Sequence, residues 1–173
     1  MIQIKSASGY IGSIEAFMKQ ILRFSKQEGI VVQAFDASVI FSDDHLLSAT
    51  DHAKRAFEQG KNSTNSFALE ILLYAAGERQ IEKAIKKVGV KKGTQRIVFV
   101  LTSDLENKKK IDESMGNQLV TVLGLQGDNQ GIHGDRTTLK RFGITDQELA
   151  TIPEHQYSDL ILEKIALVDV MKK

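Results

Sequence analysis

Between Arg79 and Arg96 the sequence places seven bases, Arg79, Lys83, Lys86, Lys87, Lys91, Lys92 and Arg96, against one acid, Glu82. Such a concentration of cations suits phosphate, because each neutralised phosphate releases condensed counterions and adds salt-dependent affinity. It also suits a solvated helix face, which is commonly charged. The single sign of the charge needs an explanation that a mixed surface would not, so nucleic-acid binding and a plain solvated face both stand.

Other chemistry-bearing patterns are sparse. Gly124, Gly127, Gly131 and Gly134 suggest a phosphate loop, but Asp135 stands where that loop requires a Lys followed by Ser or Thr. Gly131-Ile132-His133-Gly134 matches the four-residue clamp by which KH domains grip single-stranded RNA, with no recognisable helix before it. His45 and His52 are two helical turns apart, too far to share a metal ion without other ligands. Asp43-Asp44 reads as a helix-capping pair that complements the dipole. No nucleophile elbow, zinc-protease motif or Ser-Lys arrangement with its partner motifs occurs. No catalytic residue, metal or cofactor is therefore expected. A small-molecule enzyme working through the Gly-rich segment and His133 remains as a third reading.

The chain that must position these residues has 173 residues, 42% of them hydrophobic and 26% charged, with a formal net charge of +1. That length supports a core, and the balanced charge carries no global nucleic-acid or membrane signal. The absence of Cys excludes disulfides, thiolate metal sites and cysteine nucleophiles, and fits a reducing compartment such as the cytoplasm. The aliphatic and aromatic runs, Ile97 to Leu101 among them, are far short of a membrane span. The opening Met1-Ile2-Gln3-Ile4-Lys5 alternates from the start, and no signal peptide is expected.

Alternation predicts a strand at Ile2 to Lys5, and apolar spacing of three and four predicts a helix from Ser13 to Gln27 ended by Gly29. Ile30 to Phe35 reads as a second strand, followed by a helix from His45 to Gln59 that Ser42, Asp43 and Asp44 introduce. Ser66 to Ala76 is apolar on nearly every side except Glu70, as expected of a helix near the centre of the fold. Glu78 to Val88 reads as a helix with Ile81, Ala84, Ile85 and Val88 inward and Arg79, Lys83, Lys86 and Lys87 outward. Arg96 to Leu101 is an apolar run of the kind a central strand shows. Asp104 to Gly134 is the least legible stretch. Thr145 and Glu148 open a short helix, and a last helix runs from Tyr157 to Met171. With no repeat or linker, the expectation is an α/β fold: one compact domain over residues 1–173, a small mixed sheet packed with several helices.

The last helix is unusually apolar. Leu160, Ile161, Ile165, Leu167, Val168 and Met171 cover an arc of roughly 160°, against about 100° for an ordinary surface helix. Such a helix is either sandwiched in a core or partly reserved for a partner, and a terminal position favours the partner.

Three stretches taken in order, FDASVIFSDDHLLSA from Phe35, NSFALEILLYAAGERQIEKAI from Asn65 and LILEKIALVDV from Leu160, resemble the kinase-binding accessory subunits of the KEOPS complex, the TPRKB-like family. The resemblance spans nearly the whole chain and is thin from Asp104 to Ile144. It implies an α/β fold without catalytic activity, in a complex that makes threonylcarbamoyladenosine in tRNA. It implies the kinase-like ATPase subunit as direct partner, the threonylcarbamoyltransferase subunit as an indirect one, and capture of tRNA by its single-stranded 3′ CCA end.

On that resemblance, Asn65, Ser66, Tyr74, Gly77, Glu78, Arg79 and Gln80 occupy the polar and turn positions of the family's central motif. The implied tRNA contacts are Asn65, Tyr74, Arg79, Gln80, Lys83, Lys86 and Lys87, with Asn65 on a base edge, Tyr74 stacking and the cations on phosphates. The last helix, through Leu160, Ile161, Ile165, Leu167, Val168 and Met171, would dock on the kinase-like subunit. The alternative is a regulator of the ATPase whose basic face meets acidic protein and has no direct RNA role.

Overall fold

All the β-structure lies in the first of two compact units into which the chain divides, Met1–Ala37 with Val90–Gly131. The second comprises Ser38–Gly89 and the described residues from Ile132 onward. The computed structural model describes residues 1–172.

In the first unit, β1 (Ile2–Ile11), β2 (Ile30–Asp36), β3 (Gly93–Ser103) and β4 (Gln126–Asp128) form one sheet in the order β2-β3-β1-β4. The apolar run Ile97 to Leu101 does lie on a central strand, with β2 on one side and β1 on the other. Ile2 pairs with Thr102 and Ile11 with Gly93, so β1 continues well past the predicted Lys5 along the length of its neighbour. The ladders are antiparallel throughout rather than mixed. The physical reason lies in connectivity: β1 and β2, which run parallel, are separated by β3 and never pair.

One face of this sheet carries α1 (Ile14–Glu28) and α5 (Met115–Val122). Ala7, Ile97, Phe99 and Leu101 from the strands meet Phe17, Ile21 and Phe24 of α1 and Leu119 and Val120 of α5 in a single apolar cluster. Ser13 caps α1 by accepting from the Ala16 N–H at 3.1 Å, as its side-chain chemistry predicts. The inward stripe is narrower than the periodicity suggests, because Ile14 and Leu22 remain exposed. Within the illegible stretch, Gln3 holds the start of α5: its amide donates to the Glu113 carbonyl and accepts from the Gly116 N–H.

The second unit is wholly helical apart from short turns. It holds α2 (Asp43–Glu58), α3 (Phe67–Ala76), α4 (Ile81–Val88), α6 (Arg136–Phe142), α7 (Asp146–Ala150) and α8 (Tyr157–Met171). Ser42, Ser66 and Thr145 each accept a backbone N–H three residues on, capping α2, α3 and α7. α6 is absent from the sequence reading, although Asp135 and Thr138 close a reciprocal capping box at its start. α2 and α8 both pack against α3, whose Ile71 to Ala76 are all buried.

Gly134 in the glycine-rich stretch has a packing role. Its N–H donates to the Phe41 carbonyl at 2.8 Å, and a Cβ there would lie 2.7 Å from the Phe41 Cα. Close backbone approach accounts for the glycine, and β4 rather than a helix precedes the loop.

Candidate functional site

The residues singled out for binding gather on the second unit around α3. This helix is apolar all round and therefore central, and both of its ends present polar loops. At its start, loop 62–66 exposes Asn65. At its end, Gly77 adopts φ 65, a left-handed conformation that lets the chain turn directly into Glu78-Arg79-Gln80. Ten helical residues at about 1.5 Å each put these two loops about 15 Å apart, so Asn65 and Arg79 cannot serve the same nucleotide.

Arg79, Gln80, Lys83 and Lys86 are exposed. α4 starts at Ile81, later than predicted, which leaves Arg79 on the turn before it, with Gln80 as an N-cap that makes no side-chain bond. The Arg79 guanidinium donates to the Met171 carbonyl at 3.3 Å, where a cation complements the negative end of α8. Ile85, expected inward, is 47% exposed.

Lys87 departs from the expected basic face. Its ammonium lies 4.0 Å from the centroid of the Phe142 ring and 3.7 Å from the Glu78 carboxylate. Burial, offset in part by Glu78, moves its pKa down from the ordinary lysine value. Lys83, Lys86 and Lys87 share one face of α4 at spacings of three and four, and Lys87, on the side next to Phe142, folds over that ring of α6.

Tyr74 is fully buried and has no face for a base. Its ring stacks on His52 at 5.5 Å between centroids, and its hydroxyl donates to the Asp169 carboxylate. Burial first, then the bond to Asp169, pushes the Tyr74 pKa up. His52 Nδ1 stands 2.8 Å from the other Asp169 oxygen. For Asp169, burial acts upward, but the bonds from Tyr74 and His52 prevail and hold its carboxyl below the ordinary value. His45 is a core group: Nε2 donates to the Ala75 carbonyl at 2.7 Å and Nδ1 accepts from the Phe41 N–H at 3.1 Å. Burial lowers its pKa to about 4. Each histidine on α2 has a structural partner, and among the described residues no cluster of His, Asp or Glu could hold a metal ion.

Periodicity did not single out Glu70 as a site residue, although a lone carboxylate in an apolar helix was the available signal. It is fully buried. Its oxygens accept from the backbone N–H groups of Ser63 and Thr64 at 3.0–3.1 Å, and Lys172 pairs with it from the end of α8. The Lys172 ammonium also lies 3.1 Å from the Tyr74 hydroxyl. A pocket of about 360 Å³ beside this pair is lined by Arg55, Ala56, Gln59, Lys61, Asp169 and Lys172. Three cations and the Asp169 carboxylate line it, and one of those cations, Lys172, is already paired with Glu70.

The arc of α8 divides in two. Leu160, Ile161, Ile165 and Val168 are buried against neighbours within their own unit. They hold the fold instead of presenting a docking face, because α2 and α3 cover this side of the helix. Leu167 and Met171, about 40% exposed, remain available with Val170 beside them, which is 60% exposed.

A helical unit with exposed cations and an exposed apolar strip has the features of a binding module. The kinase binding protein CGI-121 family matches residues 13–169, and the chain belongs to this family. It is 31% identical over 146 residues to the regulatory protein Cgi121 of Methanocaldococcus jannaschii, covering 84% of this chain and 88% of that one. A further stretch of similarity, 39% identity over 61 residues, links it to the KEOPS complex subunit Cgi121 of Pyrococcus abyssi, covering 35% of this chain and 36% of that one.

Proposed function

We propose that this chain is a non-catalytic KEOPS subunit. It binds and regulates the kinase-like ATPase subunit and recruits tRNA through the 3′ CCA end for threonylcarbamoyladenosine modification. The observation that carries the proposal is family membership across residues 13–169, supported by the names of both relatives. The outer strip of α8, Leu167, Val170 and Met171, is the proposed contact with the kinase-like subunit, which would link this chain indirectly to the threonylcarbamoyltransferase. No cofactor enters this role, and a Cys-free chain suits the reducing cytoplasm.

The tRNA part rests on Arg79, Lys83 and Lys86, exposed and of one sign, with Asn65 and Gln80 as exposed neutral donors and acceptors. Cations one turn apart meet successive phosphates, and Asn65 reads a base edge in an unpaired strand. With few aromatic residues and Tyr74 buried, little stacking surface supplements them. Modest affinity is therefore expected from this chain alone, strengthened when other subunits hold the same tRNA.

The test is fluorescence anisotropy with intact tRNA and with tRNA lacking CCA, at two salt concentrations. Binding that requires CCA and weakens with salt is expected, with loss in the double variant Arg79→Glu, Lys83→Glu. Equal binding of both RNAs, or binding that survives the charge reversal, leaves the second reading: a regulator of the ATPase whose basic face meets acidic protein.

A further inference from the structure

Loop 62–66 is shaped by a carboxylate that never reaches the surface. Glu70 takes both oxygens to the Ser63 N–H, and one of them also to the Thr64 N–H. Thr64 in turn bonds Ser66 in both directions, donating from its hydroxyl to the carbonyl and accepting from the N–H. Asn65 lies between these constrained residues and is exposed. A fully buried carboxylate is costly without a countercharge, and Lys172 supplies it from the position that follows α8. The lysine is itself nearly enclosed, its side chain 9% exposed, so it is not placed to meet a ligand.

We infer that Glu70 and Lys172 are positioning residues for RNA: the end of α8 fixes the conformation of loop 62–66, and with it the aim of Asn65. This rests on the tRNA reading of Asn65 above. Without Lys172 the buried carboxylate would lose its countercharge and turn toward water, and its bonds to Ser63 and Thr64 would loosen. Asn65 would then sample many orientations, and its contact would lose the benefit of preorganisation. A neutral contact disturbed in this way lowers affinity without altering the number of phosphates neutralised. The slope of log affinity against log salt therefore separates positioning from direct phosphate contact, which would lower the slope by about one.

The test uses the full chain with Lys172→Met and Lys172→Arg, intact tRNA and tRNA lacking CCA. Lys172→Met is expected to weaken CCA-dependent binding about tenfold at unchanged salt slope and to speed amide exchange at Ser63 and Thr64. Lys172→Arg restores the countercharge and most of the affinity. In an Asn65→Ala background, Lys172→Met should cost no further affinity, because both changes remove the same contact. A lowered salt slope, full additivity with Asn65→Ala, or faster exchange with undiminished CCA-dependent binding would each overturn the inference. Absence of CCA-dependent binding in the unaltered protein would instead remove the tRNA reading itself. Should Lys172→Met unfold the chain, Glu70→Gln gives the same readouts, since it retains an acceptor and removes the charge.

Discussion

The Lys87 ammonium stands 4.0 Å over the centre of the Phe142 ring, turned away from the solvent that Lys83 and Lys86 face. One of four cations that share a sequence segment is thereby committed to joining α4 to α6. Lys87→Ala should lower stability by about 1–2 kcal/mol through the lost cation–π contact and stem packing, with tRNA affinity nearly unchanged. Lys83→Ala should do the reverse, leaving stability within about 0.5 kcal/mol and lowering the salt slope of tRNA binding by about one. Urea unfolding together with anisotropy separates the two, and equal effects on binding would mean that Lys87 swings outward.

Ile165 lies fully inside the second unit, whereas Leu167 lies at its surface. Ile165→Asp buries a charge without a partner and should cost about 4 kcal/mol or more, most of the stability of a marginally stable domain. Leu167→Asp should leave the melting temperature unchanged and weaken capture of the kinase-like subunit more than about tenfold. Circular dichroism and a binding assay on the two variants check this. An Ile165→Asp protein with an unchanged melting temperature would contradict the burial described here.

His45 makes stability depend on pH. In the folded chain its pKa is about 4, whereas the unfolded side chain titrates near 6.5. Between those values the unfolded chain binds more protons, so stability is complete above pH 6.5 and declines as pH falls toward 4. The loss attributable to this residue is about 3 kcal/mol. Denaturant midpoints measured from pH 7 to 4 should show the slope, and His45→Gln should flatten it while lowering stability at pH 7.

Tyr74 contributes its hydroxyl to Asp169 and Lys172 rather than its ring to a ligand. Tyr74→Phe is expected to reduce stability by about 2 kcal/mol, the net worth of a hydrogen bond to a charged group. Its effect on tRNA affinity should stay within about twofold. A large loss of affinity at unchanged stability would return the ring to the binding surface.

Much of the local structure was determined by the sequence itself. Apolar spacing of three and four, closed by Ser at the start and Gly at or just past the end, placed α1, α2 and α3 within a few residues, and apolar spacing without such caps placed α8 to the residue. These signals are local: a side chain caps a backbone donor three residues away, and a glycine takes up the left-handed turn. The continuous run Ile97 to Leu101 announced the central strand, since a strand covered on both faces carries no polar alternation. The short helices α5 and α6 gave weaker signals, because seven or eight residues hold too few apolar repeats to define a period.

Only the tertiary structure decided what these elements do for one another. Lys172 lies 102 residues from Glu70 and Asp169 lies 95 from Tyr74, so no local pattern could pair them. The width of the α8 arc was legible, but the packing of α2 and α3 selected which part is core and which is surface. Periodicity reports how many apolar side chains a helix carries and at what angles. Which of them lose contact with water depends on long-range packing, and there the cost of leaving a buried charge or hydroxyl unpaired selects the partners.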